Sequence, residues 1–446
     1  MEISRRSLFA YQQALNVTSH NISNAENPNY ARQKVVFKAG LSEGSGTNYS
    51  GSGADIGSIQ RIKDQIVESN IRQYTSRFNF SDKKSTVLQS IESIVNEPSD
   101  VGLGNLINNF FNSWDELAVN PTSYPARTNV VQSADKLSNK LKNLTDGLND
   151  IKRETRVEAK SLVDEINGYV VKINELNKQI YDSTVRNTPT NDLIDERDAI
   201  VIELSKITNV SVTTGENNVA GITIGGVFAT DANYYQTFEL KEDAGSLYIS
   251  TANGTERMAV NGGKAAALLD GYNQTVPKYL QELNNIGFEI FSQVNHLHEQ
   301  GYTLHSTPAT NIKFFSSYSD GLLTINNDII EDAKFIAASS DGNGLNNSIA
   351  GQIGAIKNLK TLGGFSISES YANMVSALGN EISITNQSSD AYGVSLANLE
   401  GQKQSISGVS LDEEMVNLLS FQRAYDASAR LIKIADEMLQ TVLQLV

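Results

Sequence analysis

From Ser410 to Val446 apolar residues recur at four-and-three spacing. One row reads Leu411, Met415, Leu418, Gln422, Tyr425, Ala429, Ile432, Asp436, Leu439, Leu443 and Val446, apolar at all but Gln422 and Asp436. A second row beside it holds Val416, Leu419, Leu431, Ala435, Met438, Val442 and Leu445, while the opposite face, from Glu413 through Arg423 and Arg430 to Gln444, is polar. The spacing predicts an amphipathic helix. Ser410 and Glu413 are set to open it as a capping box, each side chain serving the other's backbone amide. The apolar arc is wider than a two-stranded seam needs, so it calls for more than one neighbour. Alone the segment is marginal: each ordered residue costs about 1–2 kcal/mol of backbone entropy, and only the large apolar side chains return about 1.5–3 kcal/mol each on burial.

The other end of the chain matches it. Residues 3–23 predict a helix with Leu8, Tyr11, Leu15, Thr18 and Ile22 on one row and Ala14 and Val17 beside it. Asn24 to Tyr30 ends that helix, Pro28-Asn29 being a turn signal. Val35-Val36-Phe37 reads as a short strand, and the glycine- and serine-rich stretch 40–57 as an exposed loop or hairpin. A second helix is predicted over 60–96, with Ile62, Ile66, Tyr74, Phe78, Leu88, Ile91 and Ile94 inward and Pro98 as its stop. A shorter one over 103–118 sets Leu106, Phe110, Trp114 and Leu117 on one face. Trp114, the sole tryptophan, reads there as a core anchor with Phe110 and Leu117.

After Asn120-Pro121, Pro125 opens a helix whose row runs from Val130 through Leu148 and Leu162 to Ile180. At 1.5 Å per residue, about 58 residues span roughly 87 Å. No compact domain needs such a rod. Thr188-Pro189-Thr190 breaks it and a helix resumes over 192–207. From 209 to 260 the period changes to two, which predicts a small β unit. Gly262-Gly263 opens a further helix to about Glu299, and 301–345 returns to loops and short strands, Leu322 to Ile325 among them. Helices follow over 346–360 and 367–404, and Ser407-Gly408 leads into the terminal helix.

The expected fold class is mainly α with small β insertions (α+β), an elongated rod of long helices with coiled-coil terminal helices and paired N- and C-termini. The domain plan is nested. Residues 1–57 with 405–446 form the inner terminal-helix unit, and 58–208 with 263–300 and 346–404 the rod. Residues 209–262 and 301–345 are small β elements attached to it. Candidate contacts with a partner are Leu8, Tyr11, Leu15 and Ile22 at one end. At the other they are Leu411, Met415, Leu418, Leu419, Tyr425, Leu431, Ile432, Met438, Leu439 and Val442.

Composition narrows the function. Among 446 residues there are 7 Pro and 7% aromatics with 39% apolar residues, which suits long helices better than a broad β fold. A formal net charge of −15 argues against nucleic acid and against an anionic membrane surface. No apolar run approaches membrane-spanning length and the N-terminus lacks a signal-peptide core, so neither membrane insertion nor a cleaved signal peptide is expected. The chain has no cysteine, which removes disulfides and thiolate chemistry. Of His20, His296, His298 and His305, the middle pair lie two apart, on opposite sides of a helix, and cannot share a metal. No phosphate loop, nucleophile elbow or zincin motif occurs. Asp195-Glu196-Arg197-Asp198 is the densest charge cluster, and acids there suit the first turns of a helix better than catalysis, which needs a cleft and a raised carboxylate pKa. No enzyme activity, cofactor or metal is expected.

Several blocks in order carry a resemblance. They are Asn21-Ile22-Ser23-Asn24-Ala25 with Tyr30-Ala31-Arg32-Gln33, Phe110-Phe111-Asn112-Ser113-Trp114, and Leu193-Ile194-Asp195-Glu196-Arg197-Asp198. Val294-Asn295 with Gly301-Tyr302, and Ser405 to Glu414, complete the set. Together they resemble the hook-associated protein 1 family, the hook–filament junction proteins of the bacterial flagellum. The outer blocks are shared with flagellar axial proteins generally, and the Phe-Phe-x-Ser-Trp and Asp-Glu-Arg-Asp blocks narrow the likeness to the junction family. The chain has fewer residues ahead of Asn21 than the family usually carries, and Asn29 stands where Gly is commonest. Many members insert outer β domains between the counterparts of Phe315 and Leu322; only Ser316 to Gly321 lies there, so those domains are expected to be absent.

The resemblance implies a structural protein, exported by the flagellar type III apparatus without a cleaved signal peptide and assembled outside the cell at the distal end of the hook. It implies as partners further copies in a helical ring or array, the hook protein, a second hook-associated junction protein, and an export chaperone on the C-terminal helix. Within the class the alternative is a rod, hook or filament subunit; outside it, an adhesin whose β unit binds a ligand.

Overall fold

The structure, a computed structural model, describes residues 2–40, 43–45, 48–50, 53–95, 102–254, 256–305 and 309–444. Pro98, Leu445 and Val446, read from the sequence as a helix stop and the ends of two apolar rows, lie outside the described residues. The first helix, α1 (Glu2–Ser23), turns at Asn24 to Tyr30 into strand β1 (Gln33–Ala39). Short arms β2 (Glu43–Ser45) and β3 (Asn48–Ser50) pair with each other, and β4 (Ala54–Arg61) returns antiparallel to β1.

Strand β4 corrects the expected helix over 60–96. Its register with β1 shifts between Val36 and Phe37, so Gly57 is an extra residue opposite them. Such a bulge brings Ile56 and Ile59, three apart, to the same small apolar cluster, and this imitates helical spacing in the sequence. Helix α2 (Gln65–Val95) starts only after Asp64, whose carboxylate accepts from the Ile66 amide at 2.8 Å and caps the first turn. Ile62 is therefore outside the helix and Ile66 is 73% exposed.

The rod is built as the periodicity predicts. Helix α3 (Leu103–Val119) is followed by α4 (Tyr124–Val185), unbroken for 62 residues, with Pro125 in its first turn and Ser123 as N-cap. At 1.5 Å per residue it is about 93 Å long. Past the Thr188-Pro189-Thr190 break comes α5 (Asn191–Ile207). The β unit is a three-stranded antiparallel sheet of β5 (Val210–Thr214), β6 (Ala220–Ile224) and β7 (Val227–Thr230), beside a hairpin of β8 (Phe238–Asp243) and β9 (Ser246–Thr251).

The helix expected from Gly262 to Glu299 is interrupted. Helix α6 (Gly263–Asp270) widens into one π turn over Gly271–Thr275 before α7 (Val276–His298). Pro277, lacking an amide hydrogen, follows immediately and removes the bond that would have kept the α register. Strand β10 (Tyr302–Thr303) leads to the hairpin β11 (Phe315–Ser319) and β12 (Leu322–Ile325), closed by Asp320 and Gly321, both at positive φ. The short helix α8 (Asn327–Glu331) precedes β13 (Ala337–Ser339), the partner of β10. Helices α9 (Ser348–Ala355), α10 (Ile367–Ser407) and α11 (Leu411–Gln444) complete the chain.

One apolar cluster runs the length of the rod, from Val87 and Phe110 through Leu148 and Ile173 to Ile382. Phe110, Trp114 and Leu117 are fully buried within it, and Trp114 meets Phe314 and His298 edge-on at 5.3 and 6.1 Å between ring centres. Farther along, α10 runs antiparallel to α2 over a more polar seam, with Ser85 to Asn386 at 2.5 Å and Tyr74 against Tyr392 at 6.2 Å.

Asparagines attach the β pieces to the helices. Asn167, Asn177, Asn273 and Asn295 each use the amide oxygen to accept a strand residue's N–H and the amide nitrogen to donate to that residue's carbonyl. The residues so held are Phe238, Ala220, Leu247 and Phe315. Each side chain imitates a neighbouring strand, which satisfies backbone groups that a short sheet leaves open.

Two outcomes follow. Asn295→Ala removes bonds of 2.8 and 2.9 Å to Phe315 and one of 3.0 Å from Phe314, all buried. It is expected to lower stability in urea unfolding by roughly 2–3 kcal/mol. His298, fully buried, donates from Nδ1 to the Ile312 carbonyl at 2.6 Å and accepts the Ala337 amide on Nε2 at 2.8 Å. Accepting on Nε2 needs the neutral ring, and burial holds its pKa at about 4, below the ordinary 6.5, although the Ile312 carbonyl favours the charged form. The unfolded chain therefore takes up this proton first as pH falls, and stability present above pH 6.5 declines from there to about 4. About 2 kcal/mol of it should be gone between pH 7 and 5, a slope that His298→Gln is expected to flatten in the same urea titration.

Candidate assembly surface and its joint

Helices α1 and α11 lie antiparallel, Asn21 near the end of one reaching Glu414 near the start of the other at 3.1 Å. On α1 the buried line is Ala10, Ala14, Val17, Thr18 and Asn21. Leu8, Tyr11, Leu15 and Ile22, expected to lead that face, are only half-buried, because small residues allow the close approach and the large ones flank it. On α11, Glu414 and Ser428 are buried, with Leu418, Phe421, Tyr425 and Ile432 half-buried along the same side. The sequence row had placed Gln422 and Asp436 there. The facing line, Glu414, Leu418, Phe421, Tyr425, Ser428, Ile432 and Ala435, keeps the same four-and-three spacing but takes Phe421 and Ala435, one residue back from the two polar positions, because that is the side α1 lies against.

The rest of the apolar surface on α11 has no cover. Leu411, Met415, Leu419, Leu431, Met438, Leu439 and Val442, all expected as contacts, are about half or more exposed, and so are Val416, Ile434 and Leu443. Ile434 stands in neither sequence row. From Asp436 to Gln444 the helix is exposed on every side. The apolar centre of this terminal unit consists of Ala14, Val17 and Val35, with Ile56, Ile59 and Phe421 partly buried against them.

Polar groups do what that centre cannot. Asn21 accepts the Tyr30 hydroxyl at 2.7 Å and the Gln33 amide at 3.0 Å on its oxygen. Its nitrogen donates to the Gln33 carbonyl and to Glu414. Arg32 donates to both Glu413 and Glu414 at 2.7 Å, while its own amide takes the Ser407 carbonyl at the end of α10. Because the Glu413 carboxylate goes to Arg32, only half of the expected capping box forms: Ser410 Oγ accepts the Glu413 amide at 3.4 Å. The complete box is at Ser366 and Glu369, opening α10.

The Asp-Glu-Arg-Asp cluster forms the other half of the joint. Asp195 accepts from Ala31 at 3.3 Å and pairs with Arg61; Asp198 pairs with Arg61 at 3.0 Å and Lys63 at 2.5 Å. Lys63 and Lys403 also meet Glu68, at 3.4 and 3.6 Å. Arg197 turns the other way, to Asn177, the Asn218 carbonyl and Asp198. Gln33 bridges Asp192 and Asn191. Burial works to raise the Asp198 carboxyl, but Lys63, Arg197 and Arg61 overcome it and leave the pKa at about 2. At Asp195 burial prevails over Arg61 and the Ala31 amide, and the pKa is raised. Burial and the carboxylates Asp192, Asp195 and Glu414 push the Tyr30 hydroxyl up.

A raised carboxylate is one of the two features catalysis would need here. Asp195 borders a cavity of about 20 Å³ beside Arg61 and Lys63, room for a water, and on its other side an open hollow of about 370 Å³ lined by His20, Tyr30, Asp192 and Glu196. His20 lies 3.1 Å from the Tyr30 hydroxyl and 3.6 Å from Asp192. Among the described residues no three His, Asp or Glu side chains are placed to hold a metal ion, and no helix is long and apolar enough to cross a membrane.

A larger open groove of about 660 Å³ lies between β1 and the start of α11. Val17, Val35, Phe37, Val416 and Phe421 line it, with Lys34 and Glu413 at its sides. Phe37, Phe421 and Tyr11 form an aromatic triad with ring centres 5.7–6.4 Å apart.

Residues 88–315 match the family model of the flagellar hook-associated protein FlgK helical domain, and 402–445 that of the flagellar basal body rod FlgEFG protein C-terminal region. Flagellar hook-associated protein 1 of Bacillus subtilis (strain 168) is 26% identical over 99% of this chain and 97% of its own length. The protein of that name from Escherichia coli (strain K12) is 23% identical over 98% of each. The solved structure of the flagellar hook junction protein FlgK from Burkholderia pseudomallei aligns with a TM-score of 0.65 at 14% identity, covering 76% of this chain and 100% of that one. That structural likeness is one of fold.

Arg32→Ala leaves Glu414, 2% exposed, with Asn21 as its remaining side-chain partner. Breaking a buried pair costs about 3 kcal/mol or more. Amide exchange across 411–432 is therefore expected to rise about a hundredfold, with protection in 124–185 unchanged.

Proposed function

The chain belongs to the flagellar hook-associated protein FlgK family, and we infer from this that it is a structural subunit of the bacterial flagellum, acting at the hook–filament junction. The single observation that carries the mechanism is the uncovered apolar face of α11, which continues past the last residue that α1 can reach. Exposed apolar surface on this scale marks a contact with another protein. In a single chain α1 and α11 already pair, so the ends are not free coils. They are half-covered helices whose remaining side is finished by neighbours.

In this reading Leu411, Met415, Leu419, Leu431, Met438, Leu439 and Val442 meet adjoining subunits, and Leu418, Tyr425 and Ile432 hold α11 against α1. Leu8, Tyr11, Leu15 and Ile22 flank that seam. The rod, with its continuous core, forms the wall, and the β elements sit on it as attachments. The hook protein on one side and a second junction protein on the other are the partners, with an export chaperone covering the α11 face before secretion through the flagellar apparatus. The absence of cysteine suits passage as an extended chain to the cell exterior.

Cells deprived of this protein are expected to make bare hooks, and the full chain to restore filaments. A chain carrying Met438→Asp, Leu439→Asp and Val442→Asp should keep the helix content and rod stability of the parent while leaving the hooks bare. Filaments of normal number and length on that variant would overturn the reading.

A further inference from the structure

The groove beside Val416 and the overhanging tail of α11 are complementary surfaces at opposite ends of one helix. The groove is apolar within and its rim carries charges of both signs: Asp412, Arg32 paired with Glu413 and Glu414, and Lys34, an exposed cation with no ion-pair partner among the described residues. The tail carries Met438, Leu439, Val442 and Leu443, preceded by the exposed acids Asp436 and Glu437. Along α11 the two are about 35 Å apart at 1.5 Å per residue. A chain cannot bring its own tail to its own groove without breaking the helix.

We propose that the tail of α11 in one copy of this chain seats in the groove between β1 and α11 of the next copy, Leu439 and Val442 against Val35, Phe37 and Val416, with the tail acids beside Lys34. This rests on the assembly reading above and specifies its contact. Donor and acceptor are different surfaces, so the contact is heterologous and repeats without closing, as an array of subunits requires. Two tails zipped against each other would instead form a closed pair and leave both grooves empty. Phe37 and Phe421, the two rings of the aromatic triad that line the groove, become the floor of the contact.

The chain has no cysteine, so introduced ones report without interference. Lys34→Cys and Leu439→Cys are placed together in the full chain and produced in flagellate cells lacking the parent protein. Isolated flagella are oxidised and the chain is followed by immunoblot under non-reducing conditions. A ladder extending past dimers is expected, with either single variant giving monomer only. Mixing the two single variants should give one mixed dimer band.

Cross-links that stop at dimers in the double variant, or a dimer from Leu439→Cys alone, overturn the contact, since they report tail-to-tail pairing. The parent chain present in flagella with no cross-link in the double variant overturns it as well, and leaves the functional reading intact. Absence of the parent chain from flagella overturns that reading and this contact with it. Lys34→Gln, which removes the cation without adding an acid beside Asp412, Glu413 and Glu414, is a second check: incorporation at least several-fold below that of the parent, with parental amide protection across 411–432, supports the contact, and parental incorporation counts against it.

Discussion

The stance of the terminal helices depends on a cluster of charges, because there is too little apolar surface between them to hold it. Among the described residues, Ala14, Val17 and Val35 are the buried apolar members of their small cluster. The rod, by contrast, buries side chains continuously from Val87 to Ile382. Arg32, Arg61 and Lys63 with Glu414, Asp195 and Asp198 supply the missing constraint. Ion pairs add little net stability, since desolvation offsets the attraction. They do fix geometry, and here they tie the start of β1, the end of β4, α5 and the start of α11 to one point.

This division has a mechanical sense for a subunit that must join neighbours. A large terminal core would bury the α11 face within its own chain and leave nothing for a partner. A polar joint orients the helix pair without consuming that face. Exposed apolar residues therefore stay on α11, while the register of the pair against the rod is still set.

In the rod the same economy appears in the β elements. Each is too short to cover its own edges, and asparagines on the flanking helices close them. Asn177 also takes Arg197, so the α4 helix, the β5–β7 sheet and the charge cluster on α5 share one side chain. The hairpin at Asp320-Gly321 turns in two residues, so nothing is inserted between Phe315 and Leu322 beyond the hairpin itself.

Long periodic elements were legible from residues alone. The 62-residue α4, the caps and breaks at Pro125 and Pro189, the period-two stretch after 209 and the half-apolar α11 all follow from local spacing and backbone chemistry. What spacing could not reveal was which residues would meet. Asn21 and Arg32 are separated from Asp195 and Glu414 by long stretches of chain, and each looks locally like a turn residue or a solvated charge. Only the folded path makes them one network. The bulge at Gly57 and the choice of Phe421 over Gln422 on the α11 contact line have the same origin. Sequence periodicity records how each segment repeats, while the packing partner decides which of its sides is inside.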